Sequence, residues 1–308
     1  MKKYILLFIF FLSINFAHSQ GCSDAGFCTL EANNPSFFSY HNSKINRYSL
    51  SALWGLADHN IKVITSFITF KKQLQSKLNI EAKLSAISQT GKNIASSGLS
   101  DIMINSSYLI NSKLNLSTGL KFPLSNANKS YYDIYKKNET LTLNIPNYSL
   151  PLDYQSSLGT FDLLLGVGYN FKLLHINFAL QQPLTQNKNS FNRNDGNLNF
   201  QTTNGFERKG DMLLRFSYNL KLYERMSISP SLLHIYHLGK DLYKEDNKKI
   251  EIIGSDGLTI NATTMIEYHL NNSSQLRFNM GVPLKFRDAR PDGLTRKFIA
   301  GIEYCFLF

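Results

Sequence analysis

The chain has 308 residues, with 33 Lys and Arg against 22 Asp and Glu and a formal net charge of +11. At 43% hydrophobic and 18% charged residues it has the composition of a folded protein rather than a disordered one. After residue 19 no apolar run reaches the ~18 residues that a membrane-crossing helix needs, which excludes a helical inner-membrane transporter.

At the N-terminus, Lys2 and Lys3 precede an apolar run from Tyr4 to Phe16 and then Ala17-His18-Ser19, with small residues where a signal peptidase reads. Residues 1–19 are therefore expected to be a cleaved secretory signal peptide. A lipoprotein reading would need cleavage before Cys22, but Ser19-Gln20-Gly21 lacks the large aliphatic residue usual three places ahead. Residues 20–43 read as a periplasmic N-terminal segment that lies outside the membrane or partly plugs the domain that follows. Within it Cys22 and Cys28 form a C-x5-C pair, for which export to an oxidising compartment makes a disulfide the default; the spacing matches no standard zinc pattern. An exported chain rarely meets nucleic acid, so its basic balance is read as loop and interior charge, with no nucleic-acid partner.

From residue 44 the sequence reads as strands. Twelve are expected, near 44–57, 60–72, 76–88, 99–110, 113–124, 160–172, 174–184, 209–222, 225–238, 257–270, 274–286 and 296–308. The alternation is clearest at 114–124, where Leu114, Leu116, Thr118, Leu120, Phe122 and Leu124 share a face and Asn115, Ser117, Gly119, Lys121 and Pro123 share the other. These segments reach the ~9–11 residues that a tilted strand needs to cross a bilayer, beyond the ~5–6 of soluble sheets. From the fourth strand onward short links alternate with long polar stretches at 125–159, 185–208, 239–256 and 287–295, a rhythm proper to an outer-membrane barrel. The last strand puts Phe298, Ala300, Ile302, Tyr304, Phe306 and Phe308 on one face, and an aromatic terminus is similar to the signal that barrel-assembly machinery reads. The expected fold is an all-β, antiparallel transmembrane β-barrel over residues 44–308, of about 12 strands (10–14), in the outer membrane of a Gram-negative cell with its lipid as a partner. A soluble periplasmic β-sandwich is the competing fold.

A charge facing lipid at the midplane costs ~2–4 kcal/mol, so the strand charges must face inward. That assigns Glu81, Lys83, Lys121, Asp162, His175, Asp211, Arg215, Glu267, His269, Arg277, Lys285 and Glu303 to the lumen, either as a polar path for a solute or as a salt-bridged filling. Cys305, on the same polar face, is expected to be an inert thiol, the alternative being pairing between molecules. No catalytic, cofactor-binding or metal site is expected. Ser229, Ser231, His234 and His237 lie close in one strand, but Ser231 and His234 fall on opposite faces, and Gly166-Val167-Gly168 sits inside a strand without the helix of a dinucleotide loop.

Three fragments carry a family resemblance: Gly98-Leu99-Ser100-Asp101 opening a strand, Leu120-Lys121-Phe122-Pro123-Leu124 closing one, and Gly159-Thr160-Phe161-Asp162-Leu163-Leu164-Leu165-Gly166. With Arg290-Pro291-Asp292-Gly293-Leu294-Thr295-Arg296 they span residues 98 to 308 and resemble the putative meta-pathway phenol-degradation, transporter-like outer-membrane proteins. The resemblance implies passage of a small, hydrophobic or aromatic solute and carries over no binding residue. The function expected is a transporter or narrow channel and not an enzyme; the alternative is a non-conducting barrel acting as an adhesin, structural or assembly protein through its outer loops.

Overall fold

In the computed structural model, residues 46–135, 148–195, 200–292 and 296–308 are described. The expected signal peptide, the Cys22–Cys28 pair and the whole of the expected 20–43 segment lie outside these residues.

The chain forms one closed antiparallel barrel of twelve staves. In chain order they are β1 (Arg47–Ala57), β2 (Lys62–Gln75), β3 (Leu78–Gly91), β4 (Ile94–Leu109), β5 (Leu114–Pro123), β6 (Asp162–Phe171), β7 (Leu174–Pro183), β8 (Asp211–Tyr218) continued by β9 (Leu220–Tyr223), β10 (Met226–His237), β13 (Gly257–Asn271), β14 (Ser274–Lys285) and β15 (Arg296–Leu307). Two further strands, β11 (Leu242–Glu245) and β12 (Lys248–Glu251), pair only with each other. Every stave pairs with its neighbours in sequence, and β15 closes on β1 with Arg47 opposite Leu307 and Trp54 opposite Ala300. Closure satisfies the backbone without leaving an edge, a requirement for strands in a medium that offers no hydrogen bonds.

All twelve expected strands are present, with three differences. The fourth begins at Ile94, not near residue 99, and meets β3 through a two-residue turn at Lys92 and Asn93, both at positive φ. A bulge hid it. Ser85 faces both Ser100 and Asp101, so the inward face passes from even residues (Ile94, Ser96, Ser100) to odd ones (Asp101, Met103, Asn105) and the alternation loses phase. The fragment Gly98–Asp101 thus lies inside a strand rather than opening one. The strand expected at 209–222 is interrupted at Asn219, and the stretch 239–256 contains the β11–β12 hairpin instead of being wholly irregular.

The barrel is polar inside and apolar outside, the reverse of a soluble sandwich. Outward-pointing Leu50, Ile68, Ile104, Leu116, Leu165 and Ile302 are each between 43% and 61% exposed. Near the end where β1 begins and β15 finishes, Tyr48, Tyr108, Tyr169, Tyr218, Tyr268 and Tyr304 also point outward. At the other end the outer surface carries Trp54, Phe122, Tyr236 and Phe286. An apolar band between two aromatic rings matches the hydrocarbon layer and its two interfaces.

The long connections all leave from the second end. They hold a five-residue helix, α1 (Tyr131–Tyr135), the β11–β12 hairpin and short 3-10 turns such as Leu152–Tyr154.

Candidate functional site: the lumen and its cap

The inward residues form layers, beginning at the turn end. Glu267 and Arg277 lie opposite one another on β13 and β14, and Arg277 lies opposite Glu303 on β15; this register puts the guanidinium 2.9 Å from Glu267 and 3.7 Å from Glu303. Arg47 and Glu81 approach to 3.9 Å, Asn105 Nδ2 donates to Glu81 at 3.4 Å, and Ser227 Oγ donates to Glu267 at 3.3 Å. Lys83, half-buried, sets its Nζ 3.9 Å from the centre of the Phe67 ring. Cys305 is a buried free thiol on the same face.

Farther along the axis an apolar cluster of Met103, Leu164, Ala179, Leu213, Leu233 and Ile235 faces inward. Beyond it Lys121 and Asp162, paired across β5 and β6, meet at 2.7 Å, and Lys121 also donates to Thr160 Oγ1 at 3.4 Å. Asp101, turned inward by the bulge, accepts from Ser157 Oγ at 2.6 Å. Toward the loops His237 bridges Asp211 through Nδ1 at 2.6 Å and Asp241 through Nε2 at 2.8 Å; an imidazolium satisfies both carboxylates. Arg208 pairs with Asp211 and approaches Asp292 at 3.8 Å, while Arg287 holds Asp292 at 2.9 Å.

The loops close over this interior. Leu150, Tyr154, Phe191 and Phe200 pack on the inward apolar residues Ala57, Ile61, Val63, Ile87 and Ile94 at the mouth. A second cluster, Ala127, Leu152, Leu158, Phe206 and Ile252, joins three loops to one another. Polar side chains fasten the layer: Gln89 Nε2 donates to Gln155 O at 2.7 Å, Asn189 Nδ2 to Ala127 O at 2.7 Å, and Arg287 to Ser255 O at 2.6 Å. The Arg290–Asp58 pair at 2.7 Å ties the loop before β15 to the turn after β1. The result is a folded cap across one end of the barrel.

Of the residues assigned to the lumen from sequence, Glu81, Lys121, Asp162, His175, Asp211, Arg215, Glu267, Arg277 and Glu303 are buried in the interior. Lys83 and His269 are half-buried, and Lys285 is exposed at the loop end of β14. Sequence reasoning missed Arg47, Asp101, Arg208, His237 as an interior ion, Asp241, Arg287 and Asp292. Arg47, His237 and Arg287 lie on the inward face of recognised alternations and could have been found that way. Arg208, Asp241 and Asp292 lie in loops, where no period signals direction. Ser231 and His234 do point to opposite sides: Ser231 Oγ meets Thr263 Oγ1 at 2.5 Å, while the His234 ring lies 5.9 Å from that of Phe216.

No protein-family model and no curated protein matches the chain. Among solved structures it is similar to an outer membrane channel from Pseudomonas putida F1, at 13% identity and a TM-score of 0.55, over 87% of this chain and 96% of that one. The fold is that of outer-membrane β-barrels. The NanC porin is also similar, at 6% identity and a TM-score of 0.46, over 85% of this chain and 98% of that one. The narrower likeness to phenol-degradation, transporter-like proteins rests on the sequence fragments alone.

The cap carries a pH-dependent element. Asp153, in the 3-10 turn Leu152–Tyr154, is partly buried; burial, with Asp58 and Asp292 nearby, pushes its carboxyl up to about 7 against the opposing pull of Arg290. A carboxyl raised on folding contributes stability that is fully present below its ordinary value of 3.8 and is lost as pH rises through about 7. Amide protection across residues 149–158, meaning exchange corrected for the base-catalysed intrinsic rate at each pH, is therefore expected to be greater at pH 4 than at pH 8. Asp153→Asn should flatten that difference; an unchanged difference in the variant would assign the effect to other groups.

Proposed function

We propose that the protein is an outer-membrane channel or transporter of the Gram-negative cell envelope that moves small solutes through its lumen, with the loop cap as its gate. The observation that supports this most is the inversion of polarity: a closed barrel with an apolar, aromatic-bordered exterior encloses layers of polar and charged side chains interrupted by one inward apolar cluster. A barrel needing only mechanical stability in lipid would be served by a smaller and less charged interior, because buried ion pairs are no more stabilising than well-packed apolar residues. Lipid is the partner of the outer surface, assembly machinery reads the aromatic C-terminal strand, and a small molecule occupies the interior. In this reading residues 1–19 are a secretory signal and residues 20–43 a periplasmic segment.

A non-conducting barrel that works through its loops is the second reading. It is favoured by one observation: the cap is folded and fastened to the wall.

Both readings place the band in a membrane, which Leu165 tests. Leu165 is 47% exposed, outward, in the first half of β6. Leu165→Arg is expected to destabilise the vesicle-embedded barrel by ~2–4 kcal/mol, measured by denaturant titration in lipid; a change below ~0.5 kcal/mol would be the ordinary surface value and would argue against a lipid-facing band. Swelling of protein-loaded liposomes in iso-osmotic solutions of small solutes separates the two readings, since only a conducting barrel gives swelling above protein-free vesicles.

A further inference from the structure

Arg215 differs from the other buried interior arginines described above. It points inward from β8 and is 5% exposed, its Nε has no hydrogen-bond partner, and it forms no ion pair with any described residue. Arg47, Arg208, Arg277 and Arg287 each face a carboxylate. A guanidinium is not deprotonated in proteins, so Arg215 is a charge that the wall does not compensate.

Its surroundings supply the rest of a site. The register places Arg215 between Asn177 on β7 and Leu233 on β10, and Leu233 in turn lies opposite Asn261 on β13. A glycine on β6, Gly168, makes room for the arc, because a Cβ there would overlap the side-chain oxygens of Asn115 and Asn177. The Ser217 and Ser229 hydroxyls and both amide atoms of Asn261 are buried without a hydrogen-bond partner among the described residues. These neutral groups share the inward face of β8, β10 and β13 with that one cation. Directly alongside lies the inward apolar cluster, with Leu213 on the same strand and Leu233 on the next.

We propose that the lumen holds a binding site for monocarboxylates with a compact apolar body, the carboxylate on Arg215 and the body against the Leu213–Leu233 wall. The guanidinium fork matches a carboxylate through two parallel hydrogen bonds. One uncompensated positive charge selects a monoanion. The apolar wall beside it selects acids with a hydrophobic body over acetate. This deepens, and rests on, the reading of the interior as a solute route.

The test uses the full-length folded barrel in detergent micelles and calorimetric titration with cyclohexanecarboxylate, with cyclohexanecarboxamide and acetate as probes of body and head alone. Wild-type protein should bind the acid saturably at one site, and both control probes at least tenfold more weakly. Arg215→Gln should weaken the acid at least tenfold, while Arg215→Lys, which keeps the charge but loses the two-pronged hydrogen bonding, should bind more weakly than wild type and more tightly than Arg215→Gln. Heat-modifiable gel migration confirms that each variant is folded, and the Lys variant keeps the test decisive if the Gln variant does not fold. Equal binding by wild type and Arg215→Gln, equal binding of acid and amide, or no binding at all would overturn the site and leave Arg215 compensated by water alone. Acetate binding as tightly as the ring acid would remove the apolar wall from the proposal. The titration needs no ion flow, so a barrel that binds yet never conducts would refute the channel and leave the site standing, whereas a conducting barrel without binding would do the converse.

Discussion

Arg277→Met is expected to destabilise the barrel by about 3–5 kcal/mol, the range seen when one partner of a buried ion pair is removed. The guanidinium is buried 2.9 Å from Glu267 and 3.7 Å from Glu303, and those carboxylates are themselves 0% and 7% exposed. Removing the cation leaves two negative charges in a narrow interior, with Arg47, already shared with Glu81, and Lys83 as the nearby basic groups. The cost comes from stranding the acids rather than from losing an attraction. A triple variant that also carries Glu267→Gln and Glu303→Gln should therefore recover most of the loss, even though it contains fewer ions. Denaturant unfolding of the three proteins in the same vesicles decides the matter. A single-variant loss below ~1 kcal/mol, the level of exposed pairs, would show that water reaches this layer freely.

Tyr154→Ala is expected to loosen the cap by about 3–5 kcal/mol, the usual cost of truncating a buried large aromatic residue, and to raise permeability. Tyr154 is fully buried among Leu150, Phe200 and the inward apolar ends of β1 to β4. Its hydroxyl donates to Gly91 O at 2.6 Å, so the side chain joins a loop to the wall by packing and by a hydrogen bond. Phe200, whose ring lies 5.9 Å from that of Tyr154, should give a smaller change in the same direction when cut back to Ala. The barrel wall itself should keep its heat-modifiable migration in both variants, because β1 to β4 are paired along their length independently of the cap. Protease clipping within 148–158 in the variants, with the barrel core intact, is the direct readout. Equal resistance in wild type and Tyr154→Ala would mean that the cap is held elsewhere.

Much of this architecture is legible in the sequence, because a strand with lipid on one side and a polar lumen on the other writes its direction into every second residue. Leu114–Pro123 illustrates this, with boundaries read to within a residue at each end. Where the period breaks, reading fails: the Ser100–Asp101 bulge shifts the phase of β4, which hid both its first turn and the inward direction of Asp101. The identity of charged interior residues was readable, but their pairing was not. Lys121 and Asp162 meet because β5 and β6 pair in one register, and 38 intervening residues of loop give no hint of it. The cap was the least legible part. Tyr154, Phe191, Phe200 and Phe206 stand in polar, non-periodic stretches, and what buries them is the concave mouth of the barrel rather than any local pattern.

The central claim, a solute route closed at one end by folded loops, is tested most directly by single-channel recording in planar bilayers of the wild type beside a variant with residues 187–206 replaced by a short Gly-Ser turn. The account predicts infrequent, small conductance steps from the wild type and larger, longer-lived ones from the shortened protein. Silence from both, with each shown by gel migration to be a folded barrel, would contradict it and favour a barrel that acts through its loops.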